Sequence, residues 1–482
     1  MINIKHLQGH NVDISPTEFQ HFSSKLDSQI LFEGCEEYEQ SRQIFNHIFN
    51  RKPAFIIKPT GTADVQATVQ FAMKHQLVIS IKSGGHNVAG HASCEGGILM
   101  DLSLMQGIHV DTNTQQVRVE AGALLHKLDH ETQAVGLAVP VGVVSVTGVA
   151  GLTLGGGFGW LTGKHGLSID NLISAQIITS DGKIRDISKN KHADLFWAIK
   201  GGSGNFGIIT SFLFQAHPVG PDVLFCSPMY AIDKAESVLL QWQNFMENAS
   251  RDFTSVAFIY RVPVSTRFPK HLHNQDVVML AGVHLGKHKE AHKHTQALCS
   301  FDGLLHDATS IMPFEQVQQW FENWNNDDLQ PQRFYFKSIY TDQLDKPILK
   351  EFIDGFRLRP LSTCKGNVSF VIQCLRGAFK EVPEEDTAFG SRKPHFMLES
   401  NLAWIEDHFD DANIAWGRAL WNRLSAYSNE SRIYINHSGV EEDHLDRLAS
   451  VFGKNYDKLR QIKKKYDPMN LFRHNANIPP AD

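Results

Sequence analysis

One uncharged, glycine-rich stretch limits what this chain can fold into more than any other feature. Residues 132–163 include no Asp, Glu, Lys or Arg, and many of them are apolar. A membrane helix is one alternative, but nine glycines and Pro140 would badly weaken a helix there. Glycine lets another group approach the main chain closely. The stretch therefore favours a buried backbone packed against a bound group, and we expect no membrane span.

Two further segments concentrate glycine, at residues 83–91 and 201–207. Consecutive glycines free their N–H groups to form concave anion-binding nests, and they let a pyrophosphate come close. The second segment contains a formal G-x-G-x-x-G at Gly202, Gly204 and Gly207. A dinucleotide fingerprint needs a strand before it and a helix after it, whereas here a predicted helix precedes and a predicted strand follows. This order disfavours a Rossmann site.

Composition excludes several classes of protein. The net charge of −6 over 482 residues gives no basic face, so we expect no nucleic-acid partner. Six scattered cysteines fit free thiols in a reducing compartment, and the first residues do not resemble a signal peptide; we therefore expect a cytoplasmic protein. Histidines four residues apart at 284–292 and 126–130 are interpreted as solvated helix faces, and no metal site is predicted.

The periodicity of apolar residues predicts a mixture of strands and helices in three parts. Strand and helix patterns alternate over residues 1–217, with the core of this part at about 50–215. Two prolines around a glycine at residues 218–221 then interrupt regular structure. Residues 218–417 form a second part of strands and amphipathic helices, and residues 418–482 a mainly helical tail. No internal repeat is evident.

The order of the glycine loops resembles the FAD-binding domain of the vanillyl-alcohol oxidase and p-cresol methylhydroxylase (PCMH) superfamily. Within it, the chain is similar to the berberine-bridge-enzyme-like oxidases. The resemblance rests on ordered motifs at residues 82–86, 147–160, 166–171, 194–198, 204–207, 434–436, 470–473 and 475–479. It covers residues 50–215 strongly and 430–480 clearly, whereas the middle part matches only in fragments.

The resemblance implies an α+β protein with a two-part FAD-binding domain of the PCMH type, made from residues 1–217 and the returning segment 418–482. A substrate domain at 218–417, with an antiparallel sheet covered by helices, would lie between them. The positions that the resemblance assigns to FAD are Lys82, Ser83, Gly84, Gly85, His86, Asn87, Thr147, Gly148, Gly151, Gly156, Gly157, Gly204, Ile209, Asn436 and Asn470.

Three positions carry specific expectations about the flavin. In the family a histidine at the position of His86 bonds covalently to the flavin's 8α-methyl group; the alternative is a histidine that only caps the loop. Many relatives add a cysteine bond to the flavin, but Val144 stands at that position, so a single attachment is predicted. Thr147 falls where relatives control oxygen access, and its size permits reaction with O2.

The catalytic base is expected near the tail motif. The family transfers a hydride from substrate to flavin N5 while a base takes a proton from an adjacent O–H or N–H. Many relatives have a tyrosine after the motif's asparagine, whereas here His437 follows Asn436. His437 is the first candidate for the base and Tyr434 the second; a packing role for His437 remains open.

Two alternating segments of the middle part, at 333–337 and 397–401, are typical of strands. Alternation would place Glu399 and Asn401 on one face. Together with Tyr335 they are candidates for the substrate pocket, with ordinary sheet surface as the alternative.

The resemblance thus implies an FAD-dependent oxidase of a small organic substrate: a sugar, an alkaloid-like amine or a secondary-metabolite alcohol. O2 would be the acceptor and H2O2 the product. A dehydrogenase that passes electrons to a quinone or protein, and a non-catalytic flavin- or ligand-binding protein, are the alternatives. The sequence indicates nothing about the oligomeric state.

Overall fold

The structure, a computed structural model, describes residues 1–321, 331–366, 368–428, 432–437, 439 and 445–482. It has the α+β architecture that the sequence predicts, with two bodies of sheet and helix and a tail that returns to the first. Among the described residues, no helix is both long and apolar enough to cross a membrane.

The first part contains two main sheets. One has four strands, with three parallel strands and one antiparallel edge strand, in the order Gln29–Leu31, Phe55–Lys58, Ile98–Asp101 and Ile79–Lys82. The other has five antiparallel strands in the order Ile184–Ser188, Leu172–Ile178, Ile208–Gln215, Gln116–Glu120 and Ile108–Asp111. Two short ladders join Ile2–Lys5 with Asn11–Ile14 and Leu137–Ala138 with His217–Pro218.

Helices of this part follow the predicted apolar spacing. Thr62–His75 buries Val65, Val69 and Ala72 on one face, as residues three and four apart must. The uncharged stretch is only locally helical, because its glycines break it into short pieces. The other helices of the first part are Pro16–Ser23, Glu36–Arg42, Leu125–Gln133, Val149–Leu154, Thr162–His165 and Ala193–Ile199.

The middle part is a nine-stranded antiparallel sheet. Seven strands run in the order Leu304–Asp307, Pro228–Ala231, Asp276–His284, Phe253–Arg261, Ser369–Cys374, Phe396–Trp404 and Arg333–Thr341. Two more, Asp222–Cys226 and Ser310–Pro313, branch from Asp276–His284. One face packs against the helices Ala235–Glu247, Lys346–Arg357 and Asp410–Ser425. Shorter helices are His288–Thr295, Phe314–Gln318 and Ala378–Glu381.

The tail returns to the first part later than predicted. The helix Asp410–Ser425 runs through the predicted boundary at 417/418, and its Leu420 and Leu424 pack in the core of the middle sheet. After it, Ile433, Ile435 and residues of the helices Leu445–Phe452 and Tyr456–Tyr466 join the core of the first part. Apolar side chains are buried in the nearest core, so the chain passes from the core of the middle sheet to the core of the first part after this helix ends rather than within it.

Candidate active site

A cavity of about 660 Å³ lies between the glycine loops of the first part and the face of the middle sheet opposite its three long helices. This volume falls in the range of small-molecule and cofactor sites. The cavity brings together most of the predicted site residues, which line it as follows: Ser83, Gly84, Gly85, His86, Asn87, Thr147, Gly148, Gly151, Gly204, Ile209, Glu399, Asn401, Tyr434, Asn436 and His437.

The first two glycine loops touch through their backbones. A Cβ on Gly84 would lie 2.3 Å from the backbone N of Gly148, and a Cβ on Gly148 would lie 2.3 Å from the N of Gly84. Ser83 fixes the first loop by donating its hydroxyl to the Ala121 carbonyl at 2.7 Å. Only glycine fits at both positions, so this contact explains why the two loops need glycine where they meet.

His86 extends from the first loop into a stack of aromatic rings. Its imidazole lies 4.3 Å from the Phe45 ring, centroid to centroid and nearly parallel, and Phe45 stacks in turn on Phe334 at 4.1 Å. Burial lowers the pKa of His86 from 6.5 to about 4. The imidazole is therefore neutral near pH 7, with a nitrogen lone pair available as a nucleophile.

The tail holds the third glycine loop through a fully buried ion pair. Lys463 Nζ lies 2.7 Å from Asp467 Oδ2 and donates to the carbonyls of Asn205 and Phe472 at 2.6 and 2.9 Å. Burial lowers the pKa of Lys463 to about 8, although Asp467 opposes this. Asn205 also donates its side-chain N–H to the Ala476 carbonyl at 3.0 Å. The tail segment at 472–476 is thereby fixed against the cavity wall.

The lining offers a cradle for a nucleotide cofactor. A Cβ on Gly151 would meet no atom within 4 Å, and one on Gly204 would meet only Asn475 at 4.0 Å. Both glycines therefore face open space in the cavity. The buried Oδ1 of Asn475, another lining residue, has no hydrogen-bond partner among the described residues. Bare backbone, an orphaned amide oxygen and the cavity's size together fit FAD.

A carboxylate and an imidazole meet on the sheet side of the cavity. Nδ1 of His437 lies 3.0 Å from Oε2 of Glu399, whose side chain is only 2% exposed. The other carboxylate oxygen, Oε1, is buried and has no partner in the described part of the chain. Asn401 lies two residues further along the same strand, and its buried Oδ1 is equally unpartnered there. These groups can accept a proton or a hydrogen bond from a molecule in the cavity.

Tyr434 and Asn436 connect the tail to the second glycine loop. The Tyr434 hydroxyl oxygen accepts from the Gly157 N–H at 3.1 Å and from Asn436 Nδ2 at 2.9 Å. Asn436 also donates to the Leu152 carbonyl at 3.0 Å. Burial raises the pKa of Tyr434 to about 12, although both donors to its oxygen oppose the rise. Tyr434 therefore stays protonated near pH 7, and we favour a positioning role over that of a base.

Four predicted cofactor positions lie outside the lining. Lys82 turns away and donates to the Ser41 carbonyl at 2.6 Å, with Asp101 at 3.4 Å. The other three have positive φ. Gly156 and Gly157, at φ +126° and +85°, pack closely against Phe389 and Ser168, and Asn470 has a φ of +52°.

Tyr335 also lies outside the cavity lining. In the ladder it stands opposite Leu402, whereas its neighbour Phe336 stands opposite Asn401. Directly opposite residues share a face, so Phe336 and Asn401 line the cavity and Tyr335 points to the helix side, against Gly417.

Sequence reasoning missed several lining residues, notably Phe45, His91, Arg261 and His474. His474 follows directly on a quoted tail motif, so its position could have been inferred. Phe45 and Arg261 have no local pattern that marks them, since only the tertiary fold brings their segments to the cavity.

Comparisons with known proteins agree with this geometry. A family model described as "FAD binding domain" matches residues 53–188, and one described as "Berberine and berberine like" matches residues 426–479. An FAD-linked oxidoreductase of Dictyostelium discoideum is 28% identical, with 95% of this chain and 96% of that protein covered. Tetrahydroberberine oxidase of Berberis wilsoniae is 27% identical, with 89% and 86% covered. The solved structure of the berberine-bridge-enzyme-like protein 1 of Physcomitrella patens aligns with a TM-score of 0.84 at 22% identity, with 96% of this chain and 99% of that one covered.

The fold, the cavity and these matches define an FAD-linked oxidoreductase with an FAD-binding domain of the PCMH type. Within that class, the chain carries the berberine-like C-terminal domain at residues 426–479 and is similar over most of its length to tetrahydroberberine oxidase.

Proposed function

We propose that the protein is an oxidase that removes a hydride from a small organic substrate, with O2 as the final acceptor and H2O2 as the product. The observation that carries this proposal is the buried Glu399 carboxylate, which shares one cavity with the glycine loops. When bound, FAD supplies the two-electron acceptor. The proposed substrate is a sugar, an alkaloid-like amine or a secondary-metabolite alcohol.

Glu399 takes the substrate proton in this proposal. Glu399 lines the cavity, and its buried Oε1 is not engaged by any described residue, so in this proposal a substrate O–H or N–H donates to it. Nδ1 of His437 lies 3.0 Å from the opposite oxygen, and this proposal gives His437 the role of positioning the carboxylate. This assignment gives His437 a supporting role, whereas the sequence alone favoured it as the base. The variants below separate the two roles.

His86 holds FAD through a single covalent bond. Its neutral imidazole and its fixed place on Phe45 support attachment at this loop. Val144 lines the cavity at the position of the second, cysteinyl link in relatives, and its side chain has no thiol. Thr147 also lines the cavity, and its modest size supports access of O2.

Anaerobic mixing with a panel of alcohols, amines and oligosaccharides tests the proposal. A substrate should bleach the flavin's visible absorbance, and air should then restore it with one H2O2 formed per substrate oxidised. Bleaching without rapid recovery in air would favour the dehydrogenase alternative, in which a quinone restores the colour. Failure of every panel member to bleach the flavin would favour the non-catalytic alternative.

A further inference from the structure

The loop that carries His86 is held along its length by one neighbouring segment of the chain. Residues 41–46 run beside residues 82–88 and contact them at three points, each three residues after the last. The three hydrogen bonds run from Lys82 Nζ to the Ser41 carbonyl at 2.6 Å, from the Phe45 N–H to the Gly85 carbonyl at 3.0 Å, and from Asn46 Nδ2 to the Val88 carbonyl at 2.6 Å. The main chain is therefore fixed on both sides of His86.

The Phe45 side chain lies against the imidazole of His86 itself. The centroids of the two rings are 4.3 Å apart and their planes are inclined by only 18°, so the rings overlap face to face. Phe334 stacks on Phe45 in the same way, at 4.1 Å and 10°. Two rings this close cannot share one face of Phe45, so they cover opposite faces. Phe334 therefore supports the Phe45 ring from the side away from His86.

Asn46 fixes Phe334 relative to the same loop. Its fully buried side chain donates from Nδ2 to the Phe334 carbonyl at 2.9 Å and accepts the Phe334 N–H at Oδ1, also at 2.9 Å. The other Nδ2 hydrogen serves the Val88 carbonyl, so both donors of the amide are used. Phe334 belongs to the strand Arg333–Thr341 of the middle sheet. One buried amide thus joins the His86 loop of the first part to the middle sheet.

This arrangement restricts the orientation of the His86 ring. The two nitrogens of an imidazole lie at its edge, and the lone pair of the unprotonated nitrogen points outward in the plane of the ring. The direction of that lone pair therefore depends on rotation of the ring about its Cβ–Cγ bond. A flat ring against one face opposes this rotation and leaves the edge uncovered. A nucleophile reacts fast only when it is held in line with the bond that it forms.

We propose that Phe45 is a positioning residue for the covalent attachment of FAD: by stacking on His86 it directs one ring nitrogen at the flavin's 8α-methyl carbon. This rests on the proposed function, which attaches FAD through His86. Attachment forms one N–C bond and breaks one C–H bond of the methyl group. The methyl proton and the imidazole N–H proton are released, and the two electrons reduce the flavin until O2 accepts them and becomes H2O2. Phe334 and Asn46 act on His86 through Phe45.

Two measurements on purified Phe45 variants test the proposal without turnover. Visible absorbance gives the flavin bound per chain, and acid precipitation gives the share of that flavin that stays in the pellet. Phe45→Leu keeps an apolar side chain but removes the flat face, so it should bind as much flavin as the wild type and release most of it to the supernatant. Phe45→Tyr should retain nearly all of it in the pellet. In samples taken at successive times after expression begins, attachment should be about tenfold slower in Phe45→Leu than in Phe45→Tyr.

Two further variants assign the effect to the stacked rings. Phe19→Leu is the matched control, because Phe19 is a half-buried ring of the first part that packs edge-on against Phe55 at 5.4 Å, outside the cavity lining. Both of its measurements should equal those of the wild type. Phe334→Leu leaves Phe45 in place without its support, so its pellet share should lie between those of the wild type and Phe45→Leu. It also keeps the proposal testable if Phe45→Leu does not fold.

A purely structural role of Phe45 gives a different result. Phe45→Leu would then lose flavin per chain, and the pellet share of the remaining flavin would equal that of the wild type. This result, an unchanged pellet share with full flavin, or a Phe45→Tyr protein that releases its flavin would overturn the proposal and leave attachment at His86 standing. Flavin released from the wild type would overturn both. The role of Glu399 is measured separately, by flavin reduction.

Discussion

Replacing Glu399 by Gln removes the proposed proton acceptor and hardly changes its shape. A positioned general base contributes about 10²- to 10⁴-fold to a rate, so we expect anaerobic flavin reduction to slow by that factor. The fold should be nearly unaffected. His437 is 27% exposed, so water can solvate it after the carboxylate charge is lost, and the variant should remain folded.

Stopped-flow absorbance under argon measures this reduction step apart from reoxidation. Glu351→Gln is the matched control, because Glu351 pairs with Arg423 outside the cavity lining and its loss should leave the rate unchanged. His437→Asn should slow reduction less than Glu399→Gln if Glu399 takes the proton and His437 orients it. A Glu399→Gln enzyme that reduces its flavin at the wild-type rate would refute the reasoning.

Three further changes test the structure around the cavity. Gly84→Ala puts a methyl group 2.3 Å from the N of Gly148, so the loops must separate, and the purified protein should contain less flavin per chain by absorbance. Lys463→Met leaves the Asp467 carboxylate buried without its partner, which should lower the free energy of unfolding by about 3–5 kcal/mol in urea titration. Burial lowers the pKa of His474 from 6.5 to about 4. As the pH falls, the unfolded chain therefore takes up a proton at this residue before the folded chain does, and the free energy of unfolding should decrease between about pH 6.5 and pH 4. His474→Gln should make the decrease of Tm over this pH range smaller.

Each of these changes has a control or a contrary outcome. Gly61→Ala should retain full flavin, since a Cβ there meets no atom within 4 Å. Lys464→Met, next to the buried lysine but exposed, should change unfolding by less than about 0.5 kcal/mol. A Gly84→Ala protein with full flavin would show that the loops need not touch, and an unchanged pH slope in His474→Gln would assign the slope to other groups.

The part of the site that depends on backbone shape could be predicted from the sequence. Glycines 84 and 148 mark places where two stretches of main chain must come close together, and the structure brings their loops to one cavity. Such positions are visible in a sequence because only one residue type suits them. The fold class and the FAD-binding domain followed from the same loops and their order.

Side-chain direction and long-range pairing could not be predicted in the same way. Alternation along a strand shows that Tyr335 and Phe336 face opposite sides, but only the register with Leu402 and Asn401 shows which side is the cavity. The contact of Glu399 with His437 joins the sheet to the tail, and no local pattern links them. Lys82 belongs to a predicted motif, yet the nearby Ser41 carbonyl draws its ammonium group away from the cavity.

The most direct test is to precipitate the purified protein with acid and to measure whether the yellow flavin absorbance stays with the pellet or passes to the supernatant. Covalent attachment through His86 predicts that the colour stays in the wild-type pellet and passes to the supernatant in His86→Ala. Colour released from the wild-type protein, or retained in the His86→Ala pellet, would contradict attachment at this residue.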